Sequence, residues 1–357
     1  MLKYGKSCGP LLELKQGFTD QNDALLVEQN RLGEIYRCQP RRDVCVACGG
    51  PITDVSFSKC GIDYCFCDRC GHLNGAHQDS DAFCQALYTK DGGKNYAKTY
   101  TAADMEDYEK RVSEIYLPKA RFLCEALQEE NQEPKDMALA DLGAGSGYFV
   151  AALLKSGVSQ VRGYDVSEVQ VALANSIISA GYGNGPGPWV EQHTLSELAE
   201  VISKLDATVV SLIGVLEHLQ SPRDILTALT ANPSIRYIFL SVPLFSPTVF
   251  LEMVFPTVMQ RHLAAGHTHL FTQSSLEWIR KEYGMREIAT WWFGADMMDL
   301  MRMVAVRLAQ SPDTVGMVER WHQMMGPTLD GLQLEVDKRR LSSEVHTLLA
   351  IDRQVGC

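Results

Sequence analysis

The sequence predicts an α/β protein built on a doubly wound, mostly parallel sheet. Short apolar runs alternate with stretches of helix length between residues 136 and 310, which is the pattern of successive strand–helix units. One of those runs, Leu139–Leu142, passes through three alternate glycines directly into a helix. Upstream, two Cys-x-x-Cys pairs mark a small separate module in front of the sheet.

Taken in order, residues 1–40 read as an N-terminal arm, and residues 41–75 carry Cys45-x-x-Cys48 and Cys67-x-x-Cys70. This C-x2-C-x18-C-x2-C spacing is that of a zinc ribbon, in which each pair forms a knuckle and four thiolates surround one ion. Gly49 and Gly71 follow the second cysteine of each pair and relieve the tight turn. Four thiolates leave no open coordination position, so the expected Zn2+ is structural. Cys60 and Cys65 lie near enough in sequence for either to replace Cys67. Residues 76–135 read as a polar connector followed by helices, with Tyr108, Val112, Ile115, Tyr116, Leu123 and Leu127 at helical spacing.

Residues 136–310 form the main domain. After the glycines, Ala151–Lys155 completes a short helix stopped by Gly157, and Val161–Asp165 reads as a second strand ending in a carboxylate. An acid at that strand tip, about twenty residues past the glycines, is placed to accept hydrogen bonds from the ribose of an adenosine moiety. Ser167–Gln170 is a capping box opening a helix that ends at Gly181. A third strand is expected near Trp189–Glu191, another capped helix from Thr194, and a doubly buried strand over Asp206–Leu212. Ser221-Pro222 starts a further helix and Tyr237–Pro243 reads as strand five.

The glycine pattern Asp141-x-Gly143-x-Gly145-x-Gly147 resembles motif I of class I S-adenosylmethionine (SAM) methyltransferases rather than a dinucleotide fingerprint. Gly214-Val215-Leu216-Glu217-His218-Leu219 is similar to the motif that follows strand four in small-molecule members. The resemblance implies a seven-stranded Rossmann-like sheet and a SAM site. Asp141, Gly143, Gly145 and Gly147 would line the methionine end and Asp165 the ribose, with Val166, Thr194, Leu216 and Tyr100 completing the cofactor-binding set. The segment His193–Leu195 would meet adenine, although the acid common in relatives just after strand three is absent here. Tyr96, Tyr100 and Arg111 are the candidates for SAM's carboxylate.

After strand five comes an insertion, residues 245–266, with two prolines and many large apolar side chains, expected to cover the ligand edge of the sheet as a lid. It runs into Gly266-His267-Thr268-His269-Leu270-Phe271-Thr272. Here the chain resembles zinc-ribbon-bearing methyltransferases of sugar and polysaccharide biosynthesis, including the sugar C-methyltransferases. In the latter the residue matching His267 acts as base, but the acid before it is replaced by Gly266 and their large C-terminal domain has no counterpart. Met303–Leu308 is expected as the last strand, and residues 311–357 as a helical tail in which Leu329, Leu332, Val345, Leu348 and Leu349 form apolar faces.

Methyl transfer from a cationic sulfur needs an aligned nucleophile and a group to take its proton. His267, His269, Glu217 and His218 are the candidates, because they follow strands five and four at the expected cofactor edge. The acceptor expected is small and polar, a hydroxyl of a sugar or nucleotide-sugar. Sugar C-methylation, RNA methylation and a non-catalytic methyltransferase-like scaffold are the alternatives. A net charge of −11 with no large basic cluster opposes a nucleic-acid partner. Eleven cysteines, an odd number, and no apolar stretch of membrane length point to a reducing cytoplasm. The lid or the C-terminal helices offer contacts for a homodimer.

Overall fold

The computed structural model describes residues 1–14, 20–84, 87, 105–183, 185–264 and 266–353. Tyr96 and Tyr100 lie outside the described residues.

Strands β5 (Ala138–Leu142), β6 (Gln160–Asp165), β7 (Val190–Gln192), β8 (Val209–Ile213) and β9 (Tyr237–Pro243) pair in parallel in the order β7-β6-β5-β8-β9. Beyond β9 lie β12 (Glu344–Ile351), which is antiparallel to it, then β11 (Met285–Phe293) and β1 (Leu2–Tyr4). The chain leaves β5 toward one edge and later returns to place β8 on its other side. Strand order therefore reverses between β5 and β8, and the crevice at their C-terminal ends is where ligands bind in open α/β sheets. All seven residues of β9 are buried, as expected for a strand covered on both faces.

Three expectations are corrected. The sheet has eight strands rather than seven, because Leu2–Tyr4 of the arm pairs with Thr290–Trp292. Met303–Leu308 is not a strand: it lies in the helix Asp296–Ala309, and the strand falls earlier at Met285–Phe293. The tail is helical only as far as Lys338; Val345, Leu348 and Leu349 sit on β12, wedged between β9 and β11.

The cysteine module folds as a four-stranded antiparallel sheet, β10-β4-β3-β2, from β2 (Phe57–Lys59), β3 (Ile62–Phe66), β4 (Leu73–Gly75) and β10 (His269–Leu270). Its fourth strand comes from the segment after the lid, so the module is built into the main domain. Cys45, Cys48, Cys67 and Cys70 share an apolar cluster with Leu216, Leu219 and Phe271. Among the described residues no helix is long and apolar enough to cross a membrane.

Candidate functional site

Gly143, Gly145 and Gly147 have φ of +72°, +54° and +77°, a region that side-chain-bearing residues rarely adopt. Space adds a second reason. A Cβ on Gly143 would stand 2.5 Å from Val215 Cγ2, and one on Gly147 2.7 Å from Ile178 Cδ1. The loop is tied to β6: Gly143 N and Ala144 N donate to Tyr164 O at 2.8 and 3.0 Å. Asp165 is held from both sides, its Oδ2 accepting from Gly145 N at 2.7 Å and its Oδ1 from Ser167 N at 2.8 Å. The carboxylate keeps a lone pair for a ribose hydroxyl.

Beneath the loop, Asp141 is buried and its Oδ1 accepts from Ser211 Oγ at 2.6 Å, across the β5–β8 register. Burial pushes its carboxyl up to about 7. Asp141 thus supports the loop from below.

A cavity of about 680 Å³ opens over the switch point. Gly143, Gly145, Asp165, Val166 and Thr194 line it, with His193 and Leu195 beside Thr194, whereas Asp141 and Gly147, also predicted for the methionine end, do not. Arg111 also lines it, with its guanidinium 5.3 Å from the Tyr148 ring centroid. Leu216 is fully buried in the core and does not line the cavity; its neighbour Val215 does. Tyr148, Tyr116 and Lys119 line it too; of these the sequence marks only Tyr116, as a residue at helical spacing.

The cavity also has a cluster of titratable lining residues. Glu217, His218 and His267 all line the cavity, and one ligand-type atom from each lies within 4.8 Å of the others. The His218 and His267 ring centroids are 4.9 Å apart. Glu217 is 5% exposed, and its Oε2 has no hydrogen-bond partner among the described residues. Burial pushes its carboxyl up to about 8. Desolvation pushes His218 down to about 4 and His267 well below the usual imidazole range, so both rings are neutral at physiological pH. His267 Nδ1 lies 3.0 Å from His262 O, a contact in which the ring N–H donates to the carbonyl.

His269 is a correction to the candidate bases. It stands on β10 inside the ribbon sheet, its Nδ1 3.0 Å from His72 Nε2, and does not line the cavity. Pairing of β10 with β4 turns its side chain toward His72, a contact that no local pattern announces.

The lid contains the helix Pro247–Val254 and a loop whose Met259, Gln260, Arg261, His262 and Ala264 reach the cavity. Buried Glu252 organises that loop, accepting from Arg261 N, His262 N and Leu263 N at 2.8, 2.7 and 3.1 Å. At the helix start, Asp296 accepts from Ser246 Oγ at 2.6 Å and Thr248 Oγ1 at 2.7 Å, joining the lid to the body.

In the cysteine module the four buried sulfurs of Cys45, Cys48, Cys67 and Cys70 all lie within 4.8 Å of one another. Cys45 Sγ is 3.6 Å from Cys70 Sγ, and Cys48 Sγ 3.5 Å from Cys67 Sγ. A tetrahedron with metal–sulfur bonds of ~2.3 Å has sulfur–sulfur edges of ~3.8 Å, so the set fits one zinc-sized ion. Gly49 and Gly71 take φ of +67° and +73°, and Gly50 N donates to Cys48 Sγ at 3.3 Å. Cys60 and Cys65 are not part of this four-sulfur group.

Residues 113–289 match a family model described as a methyltransferase domain. No curated protein matches the chain significantly. Among solved structures, the plantazolicin methyltransferase BpumL in complex with S-adenosylhomocysteine is 12% identical, with 76% of this chain and 94% of that one covered and a TM-score of 0.45. Magnesium protoporphyrin IX methyltransferase from Synechocystis PCC 6803 with the same bound product is 16% identical, covering 59% and 92%, with a TM-score of 0.43. Geranyl diphosphate C-methyltransferase from Streptomyces coelicolor A3(2) is 14% identical, covering 71% and 86%, with a TM-score of 0.40.

Proposed function

We propose, from the premise that this chain is a SAM-dependent methyltransferase of class I fold, that its acceptor is a hydroxyl of a small polar molecule, a sugar or nucleotide-sugar. The observation that carries this reading is that one cavity is lined both by the glycine loop with Asp165 and by Glu217, His218 and His267. When bound, SAM supplies an electrophilic methyl on a cationic sulfur. Asp165 would accept its ribose hydroxyls, and the backbone at Gly143 and Gly145 would approach its amino-acid end without an intervening Cβ atom. Arg111, near the ring of Tyr148, is suited to the carboxylate.

The acceptor hydroxyl would be activated at the Glu217–His218–His267 cluster. Both rings are neutral, so each keeps a lone pair for a proton or another electrophile. As the new carbon–oxygen bond forms and the carbon–sulfur bond breaks, the hydroxyl proton leaves toward this cluster. The lid agrees with a small acceptor, because its Arg261 and His262 line the cavity. The net charge of −11 agrees with a non-nucleic-acid substrate. The four-cysteine module would hold a structural Zn2+, and the cytoplasm would keep its thiols reduced.

The test is transfer of labelled methyl from SAM to a panel of nucleotide sugars, free sugars and structured RNA. Methylation of a sugar oxygen supports the reading. Transfer to a sugar carbon or to RNA, with sugar hydroxyls inert, would replace it.

A further inference from the structure

We propose that Glu217, His218 and His267 bind one divalent cation, in a site separate from the four cysteines, and that this cation receives the acceptor's oxygen. The inference deepens the methyl-transfer reading and rests on it for the identity of the acceptor.

Four observations carry it. First, the three side chains come from two distant segments, the turn after β8 and the loop after the lid, yet one donor atom of each falls within 4.8 Å of the others. Second, Glu217 is only 5% exposed, and its buried Oε2 has no hydrogen-bond partner among the described residues. An unmatched buried carboxylate oxygen is costly, and a cation at the centre of the cluster would satisfy it. Third, both rings are oriented by hydrogen bonds to backbone of the same loop. His267 Nδ1 donates to His262 O at 3.0 Å, and a His218 ring nitrogen bonds the backbone of Gly266. A histidine that donates one N–H to a carbonyl presents the other nitrogen as a lone pair, which is the arrangement of metal-ligating imidazoles. Fourth, all three residues line the cavity, so positions not taken by protein face the substrate space.

The donor set also limits the ion. Two imidazoles and one carboxylate suit transition-metal cations such as Fe2+, Co2+ or Zn2+, and Mn2+ less strongly, better than Ca2+, and three protein ligands leave positions open for an acceptor hydroxyl. Bound there, the hydroxyl would lose its proton more readily. Its oxygen then forms the bond to the methyl carbon while the carbon–sulfur bond breaks, and the proton passes to solvent; the cation changes no oxidation state. An acceptor offering two adjacent oxygens would chelate it, which favours vicinal diols among sugar acceptors.

The experiment uses the full chain with zinc in the cysteine module. Mn2+ is titrated and followed by loss of the free-ion paramagnetic resonance signal, Co2+ by its visible absorption, each with and without S-adenosylhomocysteine. Wild type is expected to take up one additional ion per chain. Glu217→Gln and His267→Ala should weaken that uptake at least about tenfold, since even outer-shell changes cost this much, while S-adenosylhomocysteine affinity stays within about twofold. Absence of uptake of both ions by wild type, or uptake unchanged in both variants, overturns the proposal. Failure of S-adenosylhomocysteine to bind wild type would instead count against the methyltransferase reading, and is read on a different ligand.

Discussion

Lys59 Nζ, at the end of the ribbon strand β2, lies 3.0 Å from Glu252 Oε2 on the lid helix, with the two side chains 2% and 0% exposed. The same ammonium donates to Gln260 Oε1 at 3.1 Å and to Leu263 O. The cysteine module therefore fixes the lid through one buried ion pair. Removing one partner leaves the other charged and buried, which typically costs about 3–5 kcal/mol. Lys59→Met should lower stability by about that amount in urea unfolding and raise the acceptor KM more than it changes SAM affinity, because the loop Arg261–Leu263 hangs from Glu252.

Metal removal should act on the same path. Cys48→Ser, or chelation of the wild type, is expected to remove the zinc-sized ion from the four sulfurs and to lower the melting temperature, since binding energy at such a site is folding energy. Zinc content by elemental analysis and scanning calorimetry check this. Cys65→Ser should leave zinc content unchanged, because its sulfur is outside the group.

Gly147 has no room for a side chain. Gly147→Ala must hold φ near +77° and place a methyl 2.7 Å from Ile178 Cδ1 and 2.9 Å from Ala174 Cβ. Left-handed backbone costs roughly 1–2 kcal/mol and overpacking about 1–3 kcal/mol more. Chemical denaturation should show a loss of about 2–5 kcal/mol together with weaker SAM binding.

Asp141 gives a pH signature. Its carboxyl ionises near 3.8 when free and is pushed up to about 7 by burial in the fold. The folded state therefore favours the protonated acid, and this advantage, complete below about pH 4, is lost as pH rises through about 7. Asp141→Asn keeps an acceptor for Ser211 Oγ and cannot ionise. Relative to wild type it should gain stability between pH 5 and pH 8, up to about 4 kcal/mol at the upper end. A difference between the two that does not change with pH would contradict this.

Much of the sheet and of the cofactor wall was legible because its signals are local. The glycines, Asp165 and the runs of β5, β6, β8 and β9 each declare themselves within a few residues, as do the paired cysteines. The edges were not legible for the same reason. β12 is buried along nearly its whole length, so its apolar residues show no period-two alternation, and Val345, Leu348 and Leu349 happen to match helical spacing. Met303–Leu308 carries β-branched and apolar residues that read as a strand, but the helix from Asp296 buries one face of it. His269 and His267 are two residues apart, and only the pairing of β10 with β4 separates their roles. The meeting of Glu217 with His267 and of Lys59 with Glu252 arises from tertiary packing and leaves no trace in spacing.

The most direct measurement is isothermal titration of the zinc-loaded protein and of Asp165→Ala with SAM, and of the wild type with NAD. Wild type is predicted to bind one SAM and no NAD. Asp165→Ala is predicted to lose at least about tenfold in SAM affinity, the worth of a charged hydrogen bond to a ribose hydroxyl. A folded wild type that binds no SAM, or an Asp165→Ala protein that binds it as tightly, would contradict the assignment of the cavity.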